Sequence, residues 1–342
     1  PGLYEGKTVK IFLTGATGYI GGSVARRLVA DGHTVQGLVR SESRCGDVAA
    51  LGIDPLVGSL DDTALLGAAA MAADATLNAA SADHRDSAEA ICEVLAGSGK
   101  LFLHTSGSSI VGTRAGGMAT DDVFDEETPL EPSPARAARV ALNRDILGYA
   151  AKGVRTVILC PSLIYGLGRG IEPHSMQAPW LIALAERDGV AKHVGPGENI
   201  WSNVHIDDLV DLYMLALDRA PAGSFYFAEN GENSMKEVCQ AISRRLGFDG
   251  GTGAMTISLC EEYEHLHATN IDFPNVAERG WRFISEADIV DRVRYIPRNA
   301  IAVRWPGGQD AILMDNLKRR DTVAAVEGRV LKAVHGMSAG HH

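Results

Sequence analysis

The sequence predicts an α/β fold, a doubly wound parallel sheet with a smaller C-terminal lobe, and three observations predict it. Short apolar runs alternate with amphipathic stretches through the first 165 residues. A glycine-rich turn joins the first run to the first helical stretch. After residue 166 the alternation loosens into glycine- and proline-rich segments.

The runs are VKIFLTG, TVQGLVR, DPLVG, ATLNAA, KLFLHTS and RTVILCPS. Each is apolar over most of its length, as a strand is when helices cover both of its faces. Between them lie helical patterns such as GGSVARRLVADG and DSAEAICEVLAGSG, followed by Gly32 and Gly97, where a left-handed cap favours glycine. Residues 113–135 are acidic, contain three prolines and read as a long loop. GLGRGIEPHSMQAPW is a second loop, and PWLIALAERDG is a helix. HVGPGENIWSNVHIDDLVDLYMLALDRAPAG reads as a turn, a short strand and a helix, and SFYFAEN as another strand. NSMKEVCQAISRRLG is a helix whose apolar face holds Val238, Cys239, Ile242 and Leu246. Beyond 248 the pattern gives only a helix near 259–267 and a strand-like run RYIPRNAIAVRW broken by Pro297.

Composition excludes several classes of function. The formal charge is −11, from 32 Lys+Arg against 43 Asp+Glu, which argues against nonspecific nucleic-acid binding and against docking on anionic lipid. No apolar run approaches the roughly 18–20 residues that span a bilayer. The opening PGLYEGKTVKIFLTG has no apolar signal core followed by a small-residue cleavage site. The five cysteines (45, 92, 160, 239 and 260) are odd in number and show no CxxC spacing. A reduced, cytoplasmic protein with free thiols is expected, without structural zinc. No metal site is expected from the histidines either, since His265 and His267 fall on different sides of a helix.

The segment KIFLTGATGYIGGSVARRL carries Gly15, Gly18 and Gly21 after an apolar strand and at the start of a helix. Gly15 allows the sharp turn, Gly18 lets backbone N–H groups approach a pyrophosphate, and Gly21 lets the helix pack closely on the sheet. Dinucleotide binding on a Rossmann sheet follows. The second strand ends QGLVRSESR, with Arg40 about where an acidic residue would hold the ribose of NAD. An arginine there pairs with a 2′-phosphate, so NADP is expected, with NAD as the alternative. Residues 1–165 then form the NAD(P)-binding domain, to which 201–222 return, and 166–200 with 223–335 form a substrate-binding lobe.

The chain resembles the extended, or atypical, branch of the short-chain dehydrogenase/reductase superfamily, the NAD(P)-dependent epimerase/dehydratase-like proteins. The matching pieces are TGATGYIGG, LNAAS, LHTSGSSIVG, DEETPLEP, GVRTVILCPSLIYGLG and WSNVHIDDLVDLY, in the family's order over roughly residues 8–248. The family's usual ending is not recognisable after that. The resemblance implies that the backbone from Thr17 through Gly18 and Tyr19 to Ile20 cradles the pyrophosphate. It implies Leu60 beside the adenine, where the preceding family Asp is Ser59 here. It also implies Ala79 and Ala80 along the ribose and nicotinamide, Thr105 and Ser106 beneath the nicotinamide ribose, and Pro161 to Leu163 near the carboxamide. A homodimer through helices of the Rossmann domain is common in such proteins.

The family's chemistry uses a Ser/Thr and a Tyr-x-x-x-Lys pair one helix later. The usual serine position falls on Gly107, and no Tyr-x-x-x-Lys occurs anywhere in the chain. The helix that should carry the pair reads SPARAARVALNRDIL. Arg136 or Arg139 stands in its place, able to bind a phosphate or stabilise an oxyanion but not to transfer a proton. Ser106, Ser108 and Ser109 form a hydroxyl cluster that could orient a carbonyl or cap the loop. Tyr165 is a further candidate acid, Asp83 and His84 could reach a cleft, and His205 and Asp207 read as structural. Two functions are open: an NADP-dependent oxidoreductase or epimerase/dehydratase-like enzyme acting by hydride transfer on a small hydroxyl or carbonyl substrate, a sugar-like one among the options, and a non-catalytic NADP(H)-binding redox-sensing or regulatory protein.

Overall fold

The structure, a computed structural model, describes Tyr4, residues 6–112, 115–246, 267–272, 277–278, 281, 284–285 and 289–297. Its first half alternates strand and helix: β1 (Lys10–Thr14), α1 (Tyr19–Ala30), β2 (Thr34–Val39), α2 (Cys45–Ala49), β3 (Asp54–Val57), α3 (Thr63–Ala72), β4 (Ala75–Asn78), α4 (Arg85–Leu95), β5 (Leu101–Thr105), α5 (Ala137–Gly148) and β6 (Arg155–Pro161). There follow β7 (Leu163–Tyr165), α6 (Gln177–Asp188), β8 (Ile200–His205), α7 (Ile206–Arg219), β9 (Ser224–Ala228), β10 (Glu232–Ser234), α8 (Met235–Leu246), β11 (Ala268–Asp272) and β12 (Val293–Pro297).

The six apolar runs of the sequence are the first six strands. They join one sheet of order β3-β2-β1-β4-β5-β6-β9 in which every neighbouring pair is parallel. Both faces are covered. Ile11, Leu13, Leu77, Leu103 and Val157 pack with Val24 and Leu28 of α1 and Leu209 and Tyr213 of α7. Phe12, Phe102 and Ile158, on the other face, pack with Leu66 of α3, Ile91 and Leu95 of α4, and Leu142 and Ile146 of α5. Gly32 and Gly97 have φ of +86° and +75°, the left-handed conformation expected after α1 and α4. The strand order reverses between β1 and β4, and the carboxyl ends of such strands flank the crevice where open α/β sheets bind ligands.

The structure corrects one boundary. The sequence pattern assigns residues from 223 onward to the smaller lobe, yet β9 pairs in parallel with β6, from Val157↔Ser224 to Pro161↔Ala228. It is the seventh strand of the main sheet. The physical reason is α7, a crossover helix that buries Ile206, Leu209, Val210, Tyr213 and Leu217 on the face α1 also covers and so returns the chain to the sheet edge.

The chain divides into two compact units, one reaching through Leu181 and including His193–Lys236, the other formed by Ile182–Lys192 and the chain from Glu237. The first also holds a three-stranded sheet, β10-β8-β7. The second holds the parallel pair β11 and β12, with Ile284, Ile289 and Val293 buried. The acidic loop over 113–135 contains no helix or strand among its described residues. The helix expected near 259–267, Cys260 and most of RYIPRNAIAVRW beyond Pro297 lie outside the described residues. No helix among the described residues is long and apolar enough to cross a membrane.

Tyr213 is fully buried on α7, and its hydroxyl hydrogen-bonds the Thr105 hydroxyl at the end of β5. Burial holds this phenol well above its ordinary range, so it stays protonated and neutral. Tyr213→Phe leaves Thr105 Oγ1 without that partner in an apolar core, and should lower unfolding free energy by about 1–3 kcal/mol. Urea denaturation at neutral pH measures it, and an unchanged midpoint would show that the bond contributes nothing net.

Candidate active site

At the end of β1 the backbone turns at Gly15, with φ +82°. A Cβ there would lie 2.7 Å from both the carbonyl carbon and oxygen of Ala79, and a Cβ on Gly21 would lie 2.3 Å from Gly15 O. Only glycine lets α1 rise this close to the end of β4. Gly18 differs: an added Cβ meets Gly15 O alone, at 3.3 Å. Gly18 is the N-cap of α1 and supplies no side-chain cap. Its N–H donates to Gly15 O at 2.9 Å. The turn from Thr17 to Ile20 is therefore a backbone cradle at a positive helix end, and its open side suits a pyrophosphate.

Tyr19 does more than line the cradle. Its hydroxyl donates to the carbonyls of Tyr165 (3.1 Å) and Gly166 (3.0 Å). Burial, with Asp207 adding, pushes its pKa up to about 12. Ser23 Oγ donates to Tyr19 O at 2.7 Å and accepts from Arg169 N at 3.0 Å, and the Arg169 guanidinium pairs with Asp207. Residues 165–170 thus lie against the start of α1. The sequence reading missed this strap; GLGRG after the sixth strand was its only signal.

The other cofactor candidates are distributed along the carboxyl edge. Arg40 is exposed just past β2 and has no ion-pair partner among the described residues. Leu60 is half-buried against the α3–α4 side of the core. Ala79 is half-buried and Ala80 exposed, while Pro161 and Leu163 are buried.

At the end of β5 the hydroxyls separate into two groups. Thr105 and Ser106 are buried. Ser106 Oγ accepts from Asn143 Nδ2 of α5 at 2.9 Å, as Thr105 is engaged by Tyr213. Beneath them Cys160 is buried, and burial pushes its thiol up to about 12. Ser108 is half-buried and Ser109 exposed. Ser109 Oγ accepts from Arg139 Nη1 at 3.1 Å.

Arg139 is the best-anchored charge here. Its Nε and Nη2 bind the two oxygens of Asp83 at 2.7 and 2.5 Å, and its side chain is only 14% exposed. The guanidinium holds the Asp83 carboxyl below the ordinary carboxylate range. A Cβ on Gly107 would press on Arg139 Nη1 at 3.3 Å, so the guanidinium occupies space that a side chain at 107 would need. Arg136 lies at the N-cap of α5 without a side-chain cap bond.

The remaining candidates are engaged by other elements. Tyr165 is 41% exposed and meets His205 edge-on, ring centroids 5.2 Å apart. His205 caps α7 by accepting from Asp207 N, and His84 caps α4 by accepting from Ser87 N while its Nε2 contacts Asp61. The structure therefore brings Ser106, Ser108 and Arg139 to the end of β5 but ties Tyr165 to α1 and α7. Sequence reasoning also missed a buried polar row across three strands. Thr14 Oγ1 donates to Asn78 Oδ1 at 2.5 Å, and Asn78 Nδ2 lies 3.0 Å from His104 Nδ1.

The geometry defines a Rossmann-type nucleotide-binding chain with a polar site at the carboxyl edge. Residues 11–226 match the model of the NAD dependent epimerase/dehydratase family, and the chain belongs to that family. It is 34% identical over 274 residues to the oxidase ucsJ of an Acremonium species, covering 69% of this chain and 78% of the relative. It is 28% identical over 239 residues to a 4-hydroxy-2-methyl-3-oxo-4-farnesyl-3,4-dihydroquinoline-1-oxide ketoreductase of Stigmatella aurantiaca, covering 65% of this chain and 69% of the relative. Its fold is similar to that of a dTDP-glucose 4,6-dehydratase from Bacillus anthracis solved in complex with NAD, with a TM-score of 0.58, 19% identity, and 70% and 81% of the two chains covered.

His104 supplies a pH test. It is fully buried, and burial lowers its pKa to about 4 from the 6.5 of a free imidazole, partly offset by the Ala82 backbone. The unfolded chain then binds the proton first. The contribution of His104 to stability should be level above pH 6.5, fall as pH drops from 6.5 toward 4, and amount to a loss of up to about 3 kcal/mol over that window. Urea midpoints of wild type and His104→Asn at pH 7 and 4.5 measure it: the variant should lose most of the slope. Parallel slopes would assign the acid sensitivity to other groups.

Proposed function

We propose that this protein is an NADP(H)-dependent oxidoreductase acting on a small carbonyl or hydroxyl compound. A nicotinamide dinucleotide bound at the carboxyl edge would supply or accept the hydride. The Thr17–Ile20 cradle would hold its pyrophosphate and Arg40 its 2′-phosphate. Leu60, Ala79, Ala80, Thr105, Pro161 and Leu163 would line the remainder. The oxidase and ketoreductase relatives support redox chemistry at this site.

The observation that carries the reading is Arg139, clamped by Asp83 and donating to Ser109. Arginine keeps its proton, and Asp83 raises its pKa further. Its work would be to orient Ser109 and to present N–H donors to oxyanion character developing at the substrate oxygen. Because Asp83 balances the net charge, direction matters more than charge. The Ser109 hydroxyl, accepting from Arg139, keeps its own proton free to donate to that oxygen and regains one from water. Arg139→Lys should retain part of the activity, and Arg139→Ala should lose roughly a hundred- to a thousandfold in kcat, as removal of one oxyanion donor does. Rates of NADPH oxidation on a turned-over carbonyl measure it, and full activity in both variants would return Arg139 to a structural strap.

Arg40 should set cofactor preference. A charge-assisted hydrogen bond favours NADPH over NADH by roughly ten- to a hundredfold at low salt. Arg40→Asp should abolish or reverse the ratio in fluorescence titrations, whereas equal affinities in the unaltered chain would remove the assignment.

One observation favours a second reading, a non-catalytic NADP(H)-responsive protein: Thr105, Ser106 and Arg139 are all engaged by other protein groups. NADPH oxidation against a panel of aldehydes, ketones and keto-sugars separates the two, because a regulatory protein binds the cofactor and oxidises none.

A further inference from the structure

The three-stranded sheet carries features that the cofactor and Arg139 leave unexplained. β7 starts at Leu163, two residues after β6 ends at Pro161, so this sheet continues from the carboxyl edge where the substrate must lie. Register decides which side chains share a face. The partners Leu163↔Asn203, Tyr165↔His205 and Asn233↔Trp201 put Leu163, Tyr165, Trp201, Asn203, His205 and Asn233 on one side. Ile164 and Val204 point the other way, into the main core.

The first face is open at Trp201 and Tyr165, while Leu163 is buried at its base. Trp201 is 47% and Tyr165 41% exposed. Asn203 Nδ2 donates to Asn233 Oδ1 at 3.0 Å, which leaves one amide oxygen and one amide NH2 of the pair for a ligand. None of the six side chains is a carboxylate, lysine or arginine. An exposed indole and a phenol on the same face offer dispersion and stacking, with two neutral hydrogen-bonding groups between them in the register. A diphosphate would require cationic or clustered N–H donors instead.

We infer that this face is the substrate wall of the same site, with Trp201 and the Asn203–Asn233 pair as specificity residues, and that it takes an uncharged ketone with an aromatic or alkyl body and a second polar group, not a nucleotide-sugar. The inference rests on the hydride-transfer reading above. Trp201 holds the apolar body, and the amide pair holds the second polar group.

The test uses the full chain, with ethyl benzoylacetate as the neutral probe and UDP-glucose as the anionic one. Calorimetric titration with and without NADP⁺ reads binding without turnover, since oxidised cofactor cannot reduce the ketone. Ethyl benzoylacetate should bind, Trp201→Ala should weaken it by about tenfold or more, and Trp201→Phe should keep most of the affinity. In NADPH oxidation, Trp201→Ala should raise KM and leave kcat nearly unchanged. The inference is overturned if UDP-glucose binds more tightly than the ketone, if Trp201→Ala binds it like wild type, or if no ketone binding is detected. If the ketone binds through Trp201 but no carbonyl consumes NADPH, the wall stands and the hydride-transfer reading fails.

Discussion

Backbone packed on backbone at the end of β1 fixes where the rest of the site can go. A Cβ at Gly15 would run into the Ala79 peptide, and one at Gly21 into the Gly15 carbonyl. These two absent side chains bring α1 down onto the point where the strand order reverses. The same register then sets the neighbours. Thr14 pairs with Asn78 and Asn78 with His104, so three polar side chains meet in one buried row just behind the cradle. Buried polar groups are tolerated when they satisfy each other, and a row spanning β1, β4 and β5 also pins the register of those strands. The next residues along, Gly15, Ala79 and Thr105, are those at which a cofactor is expected.

What the sequence revealed followed from what is local in it. Six strands were legible because burial on both faces demands near-continuous apolar runs, and the cradle because glycine spacing is a local steric demand. β9 was as visible as a strand, but SFYFAEN says nothing of its partner; that depends on α7 folding back over the sheet. The polar pairings were illegible for the same reason. Asp83 and Arg139 stand 56 positions apart, Ser106 and Asn143 37 apart, and Thr105 and Tyr213 108 apart. Nothing near Arg139 in sequence indicates that its charge is already balanced.

The residues around Arg139 on α5 belong together physically. A tyrosine acid works by giving up a proton near neutral pH and needs a neighbouring cation to make that possible. A guanidinium does neither, and it is larger and planar. At Arg139 it needs room, which Gly107 provides, because a side chain there would crowd Nη1. It also needs a counter-charge, since leaving a side chain only 14% exposed unpaired would be unfavourable, and Asp83 binds two of its nitrogens. With both in place, Nη1 is aimed at Ser109 on the loop after β5. Replacing Asp83 alone would leave the guanidinium to swing toward solvent, and filling Gly107 alone would push it off Ser109. The room at Gly107, the Asp83 counter-charge and the Ser109 contact therefore support one another, and the guanidinium donors at this edge are held in direction by an ion pair.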